Sequence, residues 1–246
     1  MSKHFNLVER KLLQKRRRKF KMYLIMEVLM IISVGGLIGV MQAGLTEWEI
    51  VLKSAASLFF VLEGFLGYRK AKGNRKVSFY ILFALIASLG GDVFLALDTN
   101  KGILFILGVV SFAAAHVMFS IAFSKMSKIR KSDFVVAGVI LGVLLVIMSI
   151  GTFDFQGLFP VVVAYAAIIS FMVAKALSLW KCRKGKERVV GLMIAGGVFF
   201  LISDGILLFW MFGIGVPRIA QYANWIMYYL GQLFQARALN QNWEET

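Results

Sequence analysis

The stretch Val77-Ser-Phe-Tyr-Ile-Leu-Phe-Ala-Leu-Ile-Ala-Ser88-Leu-Gly-Gly-Asp92-Val-Phe-Leu-Ala-Leu97 holds one charged residue, Asp92, in an otherwise apolar run. As a helix rising about 1.5 Å per residue it reaches roughly 30 Å, the thickness of a bilayer's hydrocarbon core. Leu201-Ile-Ser203-Asp204-Gly-Ile-Leu-Leu208 repeats the arrangement later in the chain. An ionisable side chain inside hydrocarbon is costly and marks a functional site by default. Burial favours the neutral form of an isolated carboxyl, and a nearby cation favours the ionised form. The plainer alternative is a pair of polar groups that only tie two helices together.

Outward from this stretch the same texture continues. Of the 246 residues, 59% are hydrophobic, and span-length apolar runs recur along the whole chain. That pattern predicts an all-α membrane protein, an eight-transmembrane-helix bundle. The expected spans are Met22–Gln42, Thr46–Tyr68, Val77–Leu97, Lys101–Ser124, Asp133–Gly151, Gly157–Trp180, Val189–Gly213 and Arg218–Leu239. The organisation is then a basic N-terminal arm (1–21), an eight-helix transmembrane domain (22–239) and a short tail (240–246). The basic start runs straight into a span without a small-residue cleavage site, so the first span is expected to be retained. One cysteine, Cys182, allows no internal disulfide, and with only two histidines a zinc site is not expected. No metal and no cofactor are implied.

The connections alternate in charge. Those after the second, fourth and sixth spans hold 14 Lys and Arg residues, whereas the other four hold only Lys101 and Arg218. The positive-inside rule therefore puts both termini in the cytoplasm. The formal net charge of +15 is interleaved with spans. It reads as topology and as attraction to anionic lipid headgroups at the basic loops and arm, not as a nucleic-acid surface. Such simple loops suit a bacterial plasma membrane.

The polar positions suggest a parallel repeat of two four-helix halves. Lys53 precedes Asp92 by 39 positions, and Tyr165 precedes Asp204 by 39; His116 and Gln232 correspond roughly. Asp92 and Asp204 each lie 15 residues into their spans, roughly 22 Å from the cytoplasmic boundary, and Lys53 lies roughly 10 Å below the outer face. Two carboxylates and an ammonium can thus share a level and divide acid and base roles. Tyr228, Tyr229 and Gln232 sit mid-span, Tyr228 and Gln232 on one face, with Tyr165 at similar depth. They either donate to a ligand or tie helices together. Ser203 can orient Asp204 or bond its own backbone. His116, in the inner half of its span, is a proton handler or a hydrogen-bonded core residue. Glu27 and Lys175, near span ends, are expected to snorkel to the interface, and Glu63 to be structural. No serine-hydrolase elbow, zinc-protease motif or phosphate-cradling loop is present.

Six segments in order then resemble one family. They are Leu52-Lys53, Gly91-Asp92-Val-Phe-Leu95, Ala115-His116-Val-Met-Phe119, Tyr165 to Met172, Phe199-Phe-Leu-Ile-Ser203-Asp204 and Tyr228-Tyr229-Leu-Gly-Gln232. Over about Glu47 to Leu239 the chain resembles the YhhN-like lysoplasmalogenase family of multi-pass membrane proteins. The resemblance implies hydrolysis of the vinyl ether bond of a membrane lysophospholipid. The products are a fatty aldehyde and glycerophosphocholine or glycerophosphoethanolamine. Asp92 and Asp204 are then expected to divide the catalytic acid and base roles. Lys53, His116, Tyr165, Ser203, Tyr228, Tyr229 and Gln232 are expected to bind substrate. A transporter or proton-coupled carrier would use the same intramembrane carboxylates. A scaffold would have no need of them.

Overall fold

The protein is described here by a computed structural model covering residues 2–71, 75–98 and 101–241, with side chains from residue 21 onward. The basic side chains of the arm before Lys21, and the tail beyond 241, lie outside the described residues.

The described chain is helical throughout. The helices are α1 (Ser2–Gln42), α2 (Glu49–Tyr68), α3 (Arg75–Leu97), α4 (Ile103–Met126), α5 (Lys131–Ile150), α6 (Phe159–Ser178), α7 (Glu187–Phe212) and α8 (Ile219–Leu239). Helical turns at Thr46–Trp48 and Leu179–Cys182 extend the start of α2 and the end of α6. One isolated bridge, Phe153 with Gly213, is the sole strand-like pairing among the described residues. The arm and the first span form one continuous helix of 41 residues.

Among the described residues, seven helices are long and apolar enough to cross a bilayer. The expected eighth span, α8, has the length, 21 residues, but is less apolar. The reason is its position: α8 packs against α7, α2, α3 and α1. Asn224, Gln232 and Gln235 are buried inside the bundle, where they meet protein and not lipid. At the other extreme, α5 leans mainly on α6 and exposes Val139, Val143 and Val146, an apolar flank suited to acyl chains.

Within each half, neighbours in sequence pack as neighbours in space, and the halves join through α4 against α6 and α2 against α8, not through α4 against α5. These two contacts exchange when each helix is advanced by four, as a parallel repeat requires. The α3–α4 pair is drawn close by glycine. A Cβ at Gly91 would lie 2.7 Å from the Phe112 ring, so a larger residue there would displace Phe112.

One end of the bundle is knitted by its connections. Lys101 Nζ donates to the Met211 carbonyl at 2.7 Å, Asp154 N to Phe212 O at 2.8 Å, and Ile214 N to Thr152 O at 3.0 Å. The opposite end is held by buried charge, contrary to expectation. Glu27 and Lys175 do not snorkel: they are 7% and 0% exposed. Arg237 of α8 forms a two-pronged ion pair with Glu27 of α1, and Asn240 Nδ2 donates to Glu63 Oε1 at 3.1 Å. Lys175 Nζ donates to Asp133 Oδ2 at 3.0 Å and to the carbonyls of Ser127 at 2.9 Å and Lys128 at 3.3 Å. All three ammonium protons are thereby used. The α4–α5 connection folds over Lys175, which bars its route to the interface.

Candidate active site

The site is assembled around the two aspartates of α3 and α7. Asp92 is 3% exposed. Its Oδ2 accepts hydrogen bonds from Ser57 Oγ and Tyr228 OH, both at 2.6 Å. Ser57 lies one helical turn beyond Lys53, so both face Asp92 from α2. Tyr229 OH lies 3.3 Å from Ser57 Oγ and donates to the Lys53 carbonyl at 3.3 Å. No protein donor is hydrogen-bonded to Asp92 Oδ1 among the described residues, which leaves that oxygen free for a ligand or water.

Asp204 has a different set of donors. Tyr165 OH donates to its Oδ2 at 2.7 Å, and His116 Nε2 lies 3.2 Å from the same oxygen and 2.9 Å from Tyr165 OH. Ser203 Oγ reaches Asp204 Oδ1 at 3.1 Å, while Asn224 Nδ2 holds the Ser203 carbonyl at 2.8 Å. Nε2 donates to an ionised Asp204 and accepts from a protonated one, so the His116 tautomer follows the state of the carboxyl. His116 Nδ1 is buried without a partner. The meeting with Asp204 brings His116 to the level of the site and not below it.

A shift of 112 positions carries Lys53 to Tyr165, Asp92 to Asp204 and His116 to Tyr228. The counterpart of His116 is therefore Tyr228 and not Gln232, which lies one turn further on. The bonding follows the same correspondence. Each aspartate is held by its own half's second helix, through Ser57 or Tyr165, and by the fourth helix of the other half, through Tyr228 or His116. The two half-sites are thus completed crosswise. The aspartates do not hydrogen-bond each other among the described residues; they are not a helix-tying pair.

Both line one cavity of about 210 Å³, whose walls include Glu49, Lys53, Asp92, Asp98, Asp204 and Tyr228. Lys53 Nζ pairs with Glu49 Oε1 at 3.6 Å, one turn away on α2. Trp210 and Trp225 also face this space. Next to it lies a smaller pocket of about 80 Å³ between α4, α6 and α7, lined by Val109, Val161, Val162, Tyr165, Asp204 and Leu208 among others.

Of the expected site residues, Asp92, Asp204, Lys53 and Tyr228 line the larger cavity and Tyr165 the smaller. His116, Ser203 and Tyr229 lie behind the walls, where they touch the carboxylates or their partners. Gln232, 1% exposed, lies against Tyr228. Sequence reasoning missed Glu49, Ser57, Asp98 and Asn224. The spacing of Glu49, Lys53 and Ser57, four and four, was a signal for one polar helix face once α2 begins at Glu49.

The YhhN family model matches residues 48–239 of this chain. The chain belongs to the YhhN family. No curated protein and no solved structure matches it. The YhhN match takes in α2 to α8 and every donor to both aspartates, and leaves α1 outside. With its seven apolar helices, this YhhN member is an all-helical, multi-pass integral membrane protein.

Proposed function

We propose that the protein is a lysoplasmalogenase-type ether hydrolase. It would cleave the vinyl ether bond of a lysoplasmalogen to a fatty aldehyde and glycerophosphocholine or glycerophosphoethanolamine. The observation that carries this reading is the pair of aspartates, differently held, lining one cavity. Family membership supports it.

The chemistry needs little more than these groups. A carboxylic acid protonates the β-carbon of the enol ether, leaving an oxocarbenium across the α-carbon and the ether oxygen. A second carboxylate takes a proton from water as that water adds to the α-carbon. The resulting hemiacetal collapses: its hydroxyl loses a proton, the carbon–glycerol oxygen bond breaks, and the glycerol oxygen takes a proton. One water is consumed and both carboxyls return to their starting states. Positioned acid–base groups contribute about 10²–10⁴-fold each to such steps. Ser57, Tyr228, Tyr165 and His116 fix the two carboxyl planes. Lys53 and Glu49 present charges of both signs, complementary to a zwitterionic headgroup. Charge in the connections supports cytoplasmic termini, basic loops on anionic headgroups, and a bacterial plasma membrane as the setting.

Purified protein in detergent, given an alkenyl lysolipid, is expected to release long-chain aldehyde and the free glycerophospho-base in equal amounts. Uptake of the lysolipid into proteoliposomes without aldehyde would instead make the protein a carrier.

A further inference from the structure

The two cavities differ in chemistry and share part of their walls, where Asp204 is the one charged side chain beside the apolar Leu95, Phe105, Phe112, Leu207 and Met211. The larger adds Lys53 and three further carboxylates to apolar walls. In the smaller, Asp204 is the one carboxylate in the lining, and Tyr165 is its other polar side chain. Aliphatic and aromatic apolar residues, mostly of α4, α6 and α7, make up the remainder. Asp204 therefore stands where a polar space passes into an apolar one. A single-chain amphiphile has one such junction in its own structure, between headgroup and chain. Matching the two transitions buries apolar carbons against apolar walls and leaves charges beside charges.

We propose that the apolar pocket between α4, α6 and α7 seats the chain carbons next to the vinyl ether, with the double bond beside Asp204. This rests on the hydrolytic reading above and assigns its open roles. The β-carbon is the chain-side carbon of the double bond, so it faces the carboxyl that borders the apolar pocket. Asp204 is the acid that protonates it. The α-carbon faces the larger cavity, where Asp92 Oδ1, which accepts no hydrogen bond among the described residues, takes the proton of the attacking water.

Val161 lies in the wall of the apolar pocket and not in that of the polar cavity. Filling the pocket with Val161→Trp is expected to cost a long-chain alkenyl lysolipid about tenfold more in kcat/KM than an analogue bearing only the two vinyl carbons. The control Ala164→Trp, on the exposed face of α6, is expected to leave both rates unchanged. Binding of a saturated alkyl-ether analogue, which cannot be hydrolysed, separates the seat from the reaction. Its affinity is expected to fall in Val161→Trp and to hold in Ala164→Trp. If wild-type protein cleaves no alkenyl lysolipid yet binding follows this pattern, the hydrolytic reading fails and the chain seat stands. Equal losses for long and short chains, or undiminished binding of the saturated analogue in Val161→Trp, would overturn the seat.

Discussion

Replacing either aspartate by asparagine is expected to lower aldehyde release by about 10³-fold or more while leaving a folded bundle. The amide keeps the shape of the carboxyl and can still accept from Ser57 and Tyr228 at position 92, or from Tyr165 and His116 at position 204. What it cannot do is cycle a proton. The double variant is expected to be little slower than the slower single one, because two groups serving one reaction as a unit do not add. Size-exclusion and thermal profiles matching wild type would show that the loss is chemical. A near wild-type rate in Asp92→Asn or Asp204→Asn would remove that aspartate from the mechanism.

The second large effect is on stability. Lys175→Met is expected to destabilise the bundle by about 3–5 kcal/mol, the usual cost of orphaning one member of a buried pair. The methionine fills the space, yet Asp133 and the carbonyls of Ser127 and Lys128 lose their shared donor. The companion change Asp133→Asn is expected to recover a large part of the loss, since it removes the stranded charge and can keep the bond from Arg130 N. Thermal unfolding in one detergent, with the two single variants and the double, measures the coupling. Additive losses would mean that the pair carries no stability of its own.

The helix boundaries were legible because hydrocarbon enforces them. Apart from the start of the first, where α1 runs on from Ser2, the expected spans begin and end within about three residues of a helix end, set by the Gly, Pro and charged residues of the connections. The two aspartates were legible for the same reason, since few charges are tolerated at that depth. Partners were not. Glu27 meets Arg237 from 210 positions away and Lys175 meets Asp133 from 42. A terminal charge that pairs and one that snorkels have the same sequence signature. The crosswise donation by His116 and Tyr228 was hidden in the same way. The 39-residue spacing disclosed the repeat, but only packing decides that each half's fourth helix serves the other half's carboxylate. Ser57 escaped notice because a mid-span serine more often bonds its own backbone, as Ser33, Ser120 and Ser170 do here.

The central claim is that a carboxyl delivers a solvent-derived proton to carbon. Hydrolysis of an alkenyl lysolipid in D₂O, with the aldehyde trapped as it forms and analysed by mass spectrometry, tests this directly. The account predicts one deuterium at carbon 2 of the aldehyde, the former β-carbon. Aldehyde formed without deuterium at that carbon would contradict it.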